Sequence, residues 1–430
     1  MAQTVTQTTT PISFATKPSK ATLVQEFRGK HIHALRTPAV VIDKAVVASN
    51  CAKMHENAKQ WGASFRAHVK THKTSEGVRM QLVSSANTTH AIVVSTLMEA
   101  HEVVNAGLVE EGIVKDILYG LPIPVNKILD LSALWDTMLP FGGTVRILVD
   151  HPDQIKHIEE FELARPFTRK WSAFIKIDAG GKRAGLTPEA SALKDLITRA
   201  LGSPAVSVYG FYCHAGQSYA STSLEAASQF LSVEVDAVNR AAGVAFSILK
   251  NEPPTDPFVL SVGSTPTAHA ATAGSKAKLA SLLNGTLELH AGNYPLLDLQ
   301  QLHTTLVDKP RIAQKVLATV ISYYPGRGVG GSDEALCDAG AIAMSKDTGP
   351  SGTFGEVIGT SWKLGRLSQE HGILTRDPNV PPENLELGQI VHIIGQHACL
   401  ILAAHPWYYI VDSDKDKDIV DDVWVPWKGW

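Results

Sequence analysis

Short apolar runs separated by longer amphipathic stretches set the rhythm of the first two-thirds of the chain. Residues 35–44 (LRTPAVVIDK) read as a β-branched strand after a Thr-Pro turn, and 45–61 as a helix. Seven more apolar runs read as strands: 91–95, 116–119, 145–149, 171–177, 207–213, 258–262 and 286–290. Helical patterning falls between them, at 97–106, 188–201, 223–242 and 268–283. With the strand expected at 65–74, eight strands alternate with helices. Alternation implies parallel pairing, and eight units over about 240 residues is the scale of a TIM-type (β/α)8 barrel. An open doubly wound sheet is the alternative. Past residue 301 the texture changes. Runs at 312–323, 354–358, 388–394, 398–402 and 408–412 read as strands without helices between them, which predicts a second, mostly antiparallel β-domain.

The segment 65–74, FRAHVKTHKT, breaks the apolar pattern. In an extended chain Phe65, Ala67 and Val69 fall on one face, and Arg66, His68, Lys70 and His72 on the other. An unpaired row of that kind is costly to bury. It is either a solvated edge or the wall of a ligand cavity, with Lys70 as an amine nucleophile depressed in pKa by its neighbours. Lys73 is the nearby alternative, but alternation favours Lys70, which shares a face with His68 and His72.

Composition narrows the classes. With 430 residues, 44% apolar, 19% charged and a net charge of −3, the chain fits a two-domain enzyme and offers no basic excess for nucleic acid. No apolar run reaches the ~18 residues of a membrane span. Cys51, Cys213, Cys337 and Cys399 are scattered, so no disulfide framework is expected and a reducing cytosol fits. Residues 1–20 are Thr/Ser-rich without a secretory apolar core. They read as a disordered tail, with an organellar presequence as the alternative.

Polar and glycine clusters follow several strands, where a parallel barrel keeps its ligand groups. Gly263, Ser264 and Thr265 follow one strand and Gly292 with Asn293 the next; small residues and hydroxyls suit an anion. Residues 175–185 (IKIDAGGKRAG) carry Arg183, either a surface arginine or a site residue. His214, Gln217 and Tyr219 follow another strand, within YGFYCHAGQSY. In GQHACL, His397 and Cys399 point the same way if extended, and imidazole plus thiolate suits zinc. Spacing alone equally allows a buried core pair.

FRAHVKTHKT, the two glycine loops, the Arg183 segment and His-x-Cys together resemble the eukaryotic-type D-serine dehydratases, fold-type III pyridoxal-phosphate enzymes related to the D-threonine aldolases. The resemblance runs along most of the chain. It implies an alanine-racemase-like barrel at 45–305 and a β-domain at 306–430, joined by the N-terminal segment 21–44. It implies that Lys70 carries the pyridoxal phosphate, that both glycine loops grip its phosphate, and that Arg183 lies near the site. It implies that His397 and Cys399 bind Zn2+, where the aldolases typically show His-x-Asp. The expected activity is conversion of D-serine to pyruvate and ammonia by a cytoplasmic homodimer, with active sites near the subunit interface. D-threonine aldolase, amino-acid racemase or a non-catalytic pyridoxal-phosphate carrier are the alternatives.

Overall fold

Eight parallel strands close on themselves: β2 (Ser64–His68), β3 (Ala91–Val94), β4 (Asp116–Pro122), β5 (Thr144–Val149), β6 (Trp171–Ile177), β7 (Val206–Cys213), β8 (Val259–Val262) and β9 (Thr286–Ala291). Register runs without interruption where the ring closes, with Phe65 beside Leu289 and Ala67 beside Ala291. The structure is a computed structural model and describes residues 15–250, 254–272, 274, 283–381 and 383–430. The TIM-type barrel is therefore as expected. The helix expected at 268–283 starts earlier, at Thr265–Ala270, and most of the expected range lies outside the described residues, as do positions 1–14 of the expected tail. Ser19 accepts from the amide of Thr22 and caps a helix at Lys20–Phe27.

Before the barrel, β1 (Ala39–Asp43) feeds a helix at Lys44–Trp61. Asp43 accepts from the amide of Ala45 at its start, and Gly62 ends it with φ 74°, a left-handed cap that costs glycine little. β1 itself lies in the second sheet, antiparallel to β10 (Gln314–Tyr324) and parallel to β16 (Tyr408–Val411).

That sheet has nine strands, and all pairings but β1 with β16 are antiparallel. Four of its strands escaped the sequence reading: β11 (Glu334–Cys337), β13 (Lys363–Leu367), β14 (Gly372–Thr375) and β17 (Asp422–Trp424); β12 (Gly355–Val357) and β15 (Ile390–Gly395) were expected. The run at 398–402 is a correction. It is a helix, Ala398–Ala404, and a second short helix, Ala341–Met344, also interrupts the strands. A short apolar run does not by itself separate strand from buried helix, and Ala and Leu favour the helix.

Phe65, Ala67 and Val69 are buried under the outer helices, as alternation predicts. The inward residues form layers. At the lower level Arg66, fully buried, donates to Asp116 at 2.7 and 3.1 Å and to Glu288 at 2.9 Å, so its charge is paired. Val93, Leu118, Leu148, Phe174 and Tyr212 fill the interior around it. One layer up is His68, and above the strand end is Lys70.

Candidate active site

The alternation argument holds only as far as β2 does. The strand ends at His68, and residues 70–72 turn. His72 therefore leaves the site face: its Nε2 meets Gln81 Oε1 at 2.9 Å and its Nδ1 accepts from the amide of Thr74, in a fully enclosed position. Lys73, with φ 53°, turns away to pair with Glu99 at 3.1 Å. Lys70 stays exposed at the turn, beside Cys399, Tyr219 and Arg183. Its ammonium is not depressed, as expected from the sequence, but raised. The charge of Cys399 is the largest cause, and with Tyr219 and Glu99 it outweighs burial and the opposing charge of Arg183. Burial, with Lys70, Arg183 and Arg66 nearby, pushes His68 down to about 3.

Beneath Lys70 lies a ladder of rings. Tyr212 stacks on His290 at 4.2 Å, its hydroxyl is 3.0 Å from His68 Nε2, and His290 stacks in turn on His214 at 6.0 Å. Burial holds His214 and His290 well below the usual imidazole range, so the ladder is uncharged. His214 Nδ1 lies 2.8 Å from the carbonyl oxygen of Gly263.

The two glycine loops meet. The amide of Asn293 donates to Thr265 Oγ1 at 3.1 Å, and Ser264 shares a hydroxyl contact of 2.7 Å with Ser218. Gly263 has φ 144°, and a Cβ there would sit 2.1 Å from the carbonyl oxygen of His290. At Gly292 a Cβ would fall 2.9 Å from that of His68, so the loop closes directly on the ring ladder. Gln217 reaches across to donate to the carbonyl of Ala179 at 3.0 Å, tying its loop to the one that carries Arg183. Arg183 is exposed, yet its charge reaches His68, Lys70 and His214. Tyr219, its phenol raised by burial, sits between Lys70 and Thr265.

The β-domain supplies the opposite wall. His397 and Cys399 do meet, but through a helix N-terminus rather than an extended strand. His397 is the N-cap (φ −142°, ψ 100°) and Cys399 lies in the first turn. Asp298 anchors that end by accepting from the amide of Ala398 at 2.8 Å. Asp347 Oδ2 holds His397 Nδ1 at 2.7 Å, which leaves the other ring nitrogen to Cys399. Burial alone would lower His397, but Cys399, Asp298 and Asp347 raise it to about 9. Burial alone would raise Cys399, but Lys70 and His397 bring its thiol below the ordinary range.

These residues fit both groups that the sequence suggested. Buried oxygens of Gln217, Ser221 and Asn293 have no partner among the described residues and border the cleft and the loops. The thiolate and imidazole offer a borderline-soft ion two ligands, with Asp347 orienting the imidazole as carboxylates do in metal sites. Among the described residues no third His, Cys, Asp or Glu completes a cluster, so the site would be open. A cleft of about 530 Å³, lined by Tyr219, Ser221, His303, Lys346, Asp347 and Gln396 among others, adjoins His397 through Asp347 and Gln396. Sequence reasoning missed Asp298, Asp347 and the ladder members Tyr212 and His290. The last two alternate inward on strands it had found, a signal that was available.

The architecture defines the class. Residues 42–273 match the model of the alanine racemase N-terminal domain, and residues 313–411 that of the "Putative serine dehydratase domain". The chain belongs to the D-serine dehydratase family of lyases. It is 45% identical to D-serine dehydratase of Schizosaccharomyces pombe over 96% of both chains. It is 35% identical to that of Saccharomyces cerevisiae, over 95% of this chain and 99% of the relative. Among solved structures, D-threo-3-hydroxyaspartate dehydratase from Delftia sp. HT23 superposes with a TM-score of 0.78 at 29% identity, over 93% of this chain and all of that one.

Proposed function

We propose that this enzyme eliminates water from D-serine and that hydrolysis of the resulting enamine, which takes that water back, gives pyruvate and ammonia, with pyridoxal phosphate on Lys70 and Zn2+ on His397 and Cys399. One observation carries the reading: the barrel lysine and the β-domain pair lie together, with Cys399 the largest influence on Lys70 and its sulfur 3.1 Å from the Thr71 hydroxyl. The full-length similarity to two D-serine dehydratases supports the substrate. A cysteine mutant of D-threo-3-hydroxyaspartate dehydratase is described as in the metal-free form, which supports a cysteine ligand.

Pyridoxal phosphate, when bound, supplies an electron sink for the Cα carbanion. Zn2+ would act as Lewis acid on the β-hydroxyl, a poor leaving group. Lys70 Nζ is placed to take the Cα proton. The neutral ladder of His68, His290 and His214 gives an uncharged floor, and Tyr212 keeps its phenol proton because burial raises it far above the usual range. Ser264, Thr265 and Asn293 would hold the phosphate, with Gly292 allowing close approach. Gln217 and Tyr219 line the cofactor side, and Arg183 supplies a cation to the substrate carboxylate. The reading includes a cytoplasmic homodimer.

Pyruvate release from D-serine, measured beside glycine release from D-threonine, tests it. Pyruvate from D-serine alone is the expected result. Glycine from D-threonine without pyruvate would make the enzyme an aldolase.

A further inference from the structure

Behind the two loops assigned to the cofactor lies a buried carboxyl that no step above uses. Glu234 sits on the long helix Leu224–Ile248 that follows β7, with its side chain enclosed against the barrel. A single oxygen, Oε1, accepts from the amide of Ala215 at 2.6 Å and from that of Gly263 at 3.3 Å. Its other oxygen has no hydrogen-bond partner among the described residues. Through Oε1 the carboxyl joins the residue after His214 to the residue before Ser264, and the Thr267 hydroxyl, in the helix that follows the second loop, also bears on it.

The two loops leave different strands and touch on the ligand side through Ser218 with Ser264 and His214 with Gly263; Glu234 joins them from the helix side. His214 touches the Gly263 carbonyl from the ligand side, and Glu234 takes the Gly263 N–H from behind. The peptide at Gly263 is thus fixed at both ends, in a conformation (φ 144°) that would drift without support. A carboxyl is expensive to bury, and the cost is unexplained by packing alone.

We propose that Glu234 is a positioning residue that fixes the His214 loop and the Gly263–Thr265 loop in register from behind, so that the imidazole and the phosphate cradle grip one cofactor together. This rests on the reading of those loops as the pyridoxal-phosphate site.

The test uses the intact holoenzyme and three forms: wild type, Glu234→Gln and Glu234→Ala. Gln keeps an acceptor oxygen at the Oε1 position and Ala removes it. Two quantities are followed: the rate of cofactor loss on dialysis, read by visible absorbance, and amide hydrogen exchange at 215 and 263. The Ala form should lose cofactor about 10-fold faster or more and exchange faster at both amides, since two buried donors lose their acceptor. The Gln form should stay close to wild type in both. If Ala retains cofactor at the wild-type rate, or if Gln fails as badly as Ala, the proposal is overturned. A wild-type protein that takes up no pyridoxal phosphate would overturn the reading of the loops instead, and the exchange rates would still report on the joint itself.

Discussion

The hydroxyl of Thr71 lies 3.1 Å from the sulfur of Cys399. That contact ties the turn after the first barrel strand to the first turn of a β-domain helix, and it puts Lys70 beside His397 and Cys399. Under the proposed function this is a division of labour: the barrel would hold the cofactor and the β-domain would treat the leaving group.

Lys70→Ala should abolish cofactor absorbance and turnover together, because Lys70 is the amine assigned as anchor, and the cleft lysine, Lys346, belongs to the β-domain wall. Lys73→Ala should keep the absorbance, since its ammonium is committed to Glu99 at 3.1 Å. Spectra of the two purified variants decide, and reversed results would mean that Lys73 is the anchor.

Asp347→Asn should weaken zinc retention by about 10–100-fold while leaving cofactor absorbance unchanged, because the residue orients His397 without contacting the barrel loops. Competition with a chromophoric chelator measures it. Wild-type zinc affinity in the variant would exclude the orienting role.

Arg66→Ala should cost stability rather than chemistry alone. It strands Glu288 and one side of Asp116 at the barrel floor, and breaking a buried pair costs about 3–5 kcal/mol. Denaturant unfolding of the two proteins gives the difference, and a loss under about 1 kcal/mol would contradict the account.

Glu234 gives a pH dependence with a definite sign. Burial raises its carboxyl to about 7, and the bonds from Ala215, Thr267 and Gly263 and the charge of Lys176 only partly offset that. Tyr212 and Cys213 also face it, and both keep their protons. The folded state thus binds a proton more tightly than the unfolded chain. The stability linked to it is present in full below the unfolded carboxyl range and lost as pH rises through about 7. Thermal melts between pH 4.5 and 8 should show wild type losing stability relative to Glu234→Gln, and parallel curves would contradict the shift.

Much of this was legible in the sequence because β-alternation and barrel rhythm are local signals. The seven later barrel strands were found within one to three residues at each end, and Arg66 and His68 fell on the inward face as expected. His72 did not, because a side-chain period extends only as far as its strand, and nothing local marks His68 as the last residue. The direction of the Lys70 shift depends on Cys399, 329 positions away in sequence, so no neighbour count along the strand could have given it. His397 and Cys399 were paired correctly for an incorrect reason. Asp298 and Asp347 carry no motif; their places are set by tertiary contacts alone.

The division of labour is tested most directly by removing the metal. Zinc content by elemental analysis, visible absorbance and pyruvate release from D-serine should be measured on wild type, on chelated wild type and on Cys399→Ala. The prediction is zinc in the first form only, cofactor absorbance in all three, and elimination lost in the last two and restored to chelated wild type by added Zn2+. An enzyme that is fully active with no bound metal would contradict it, leaving His397 and Cys399 as an ion pair of the domain boundary.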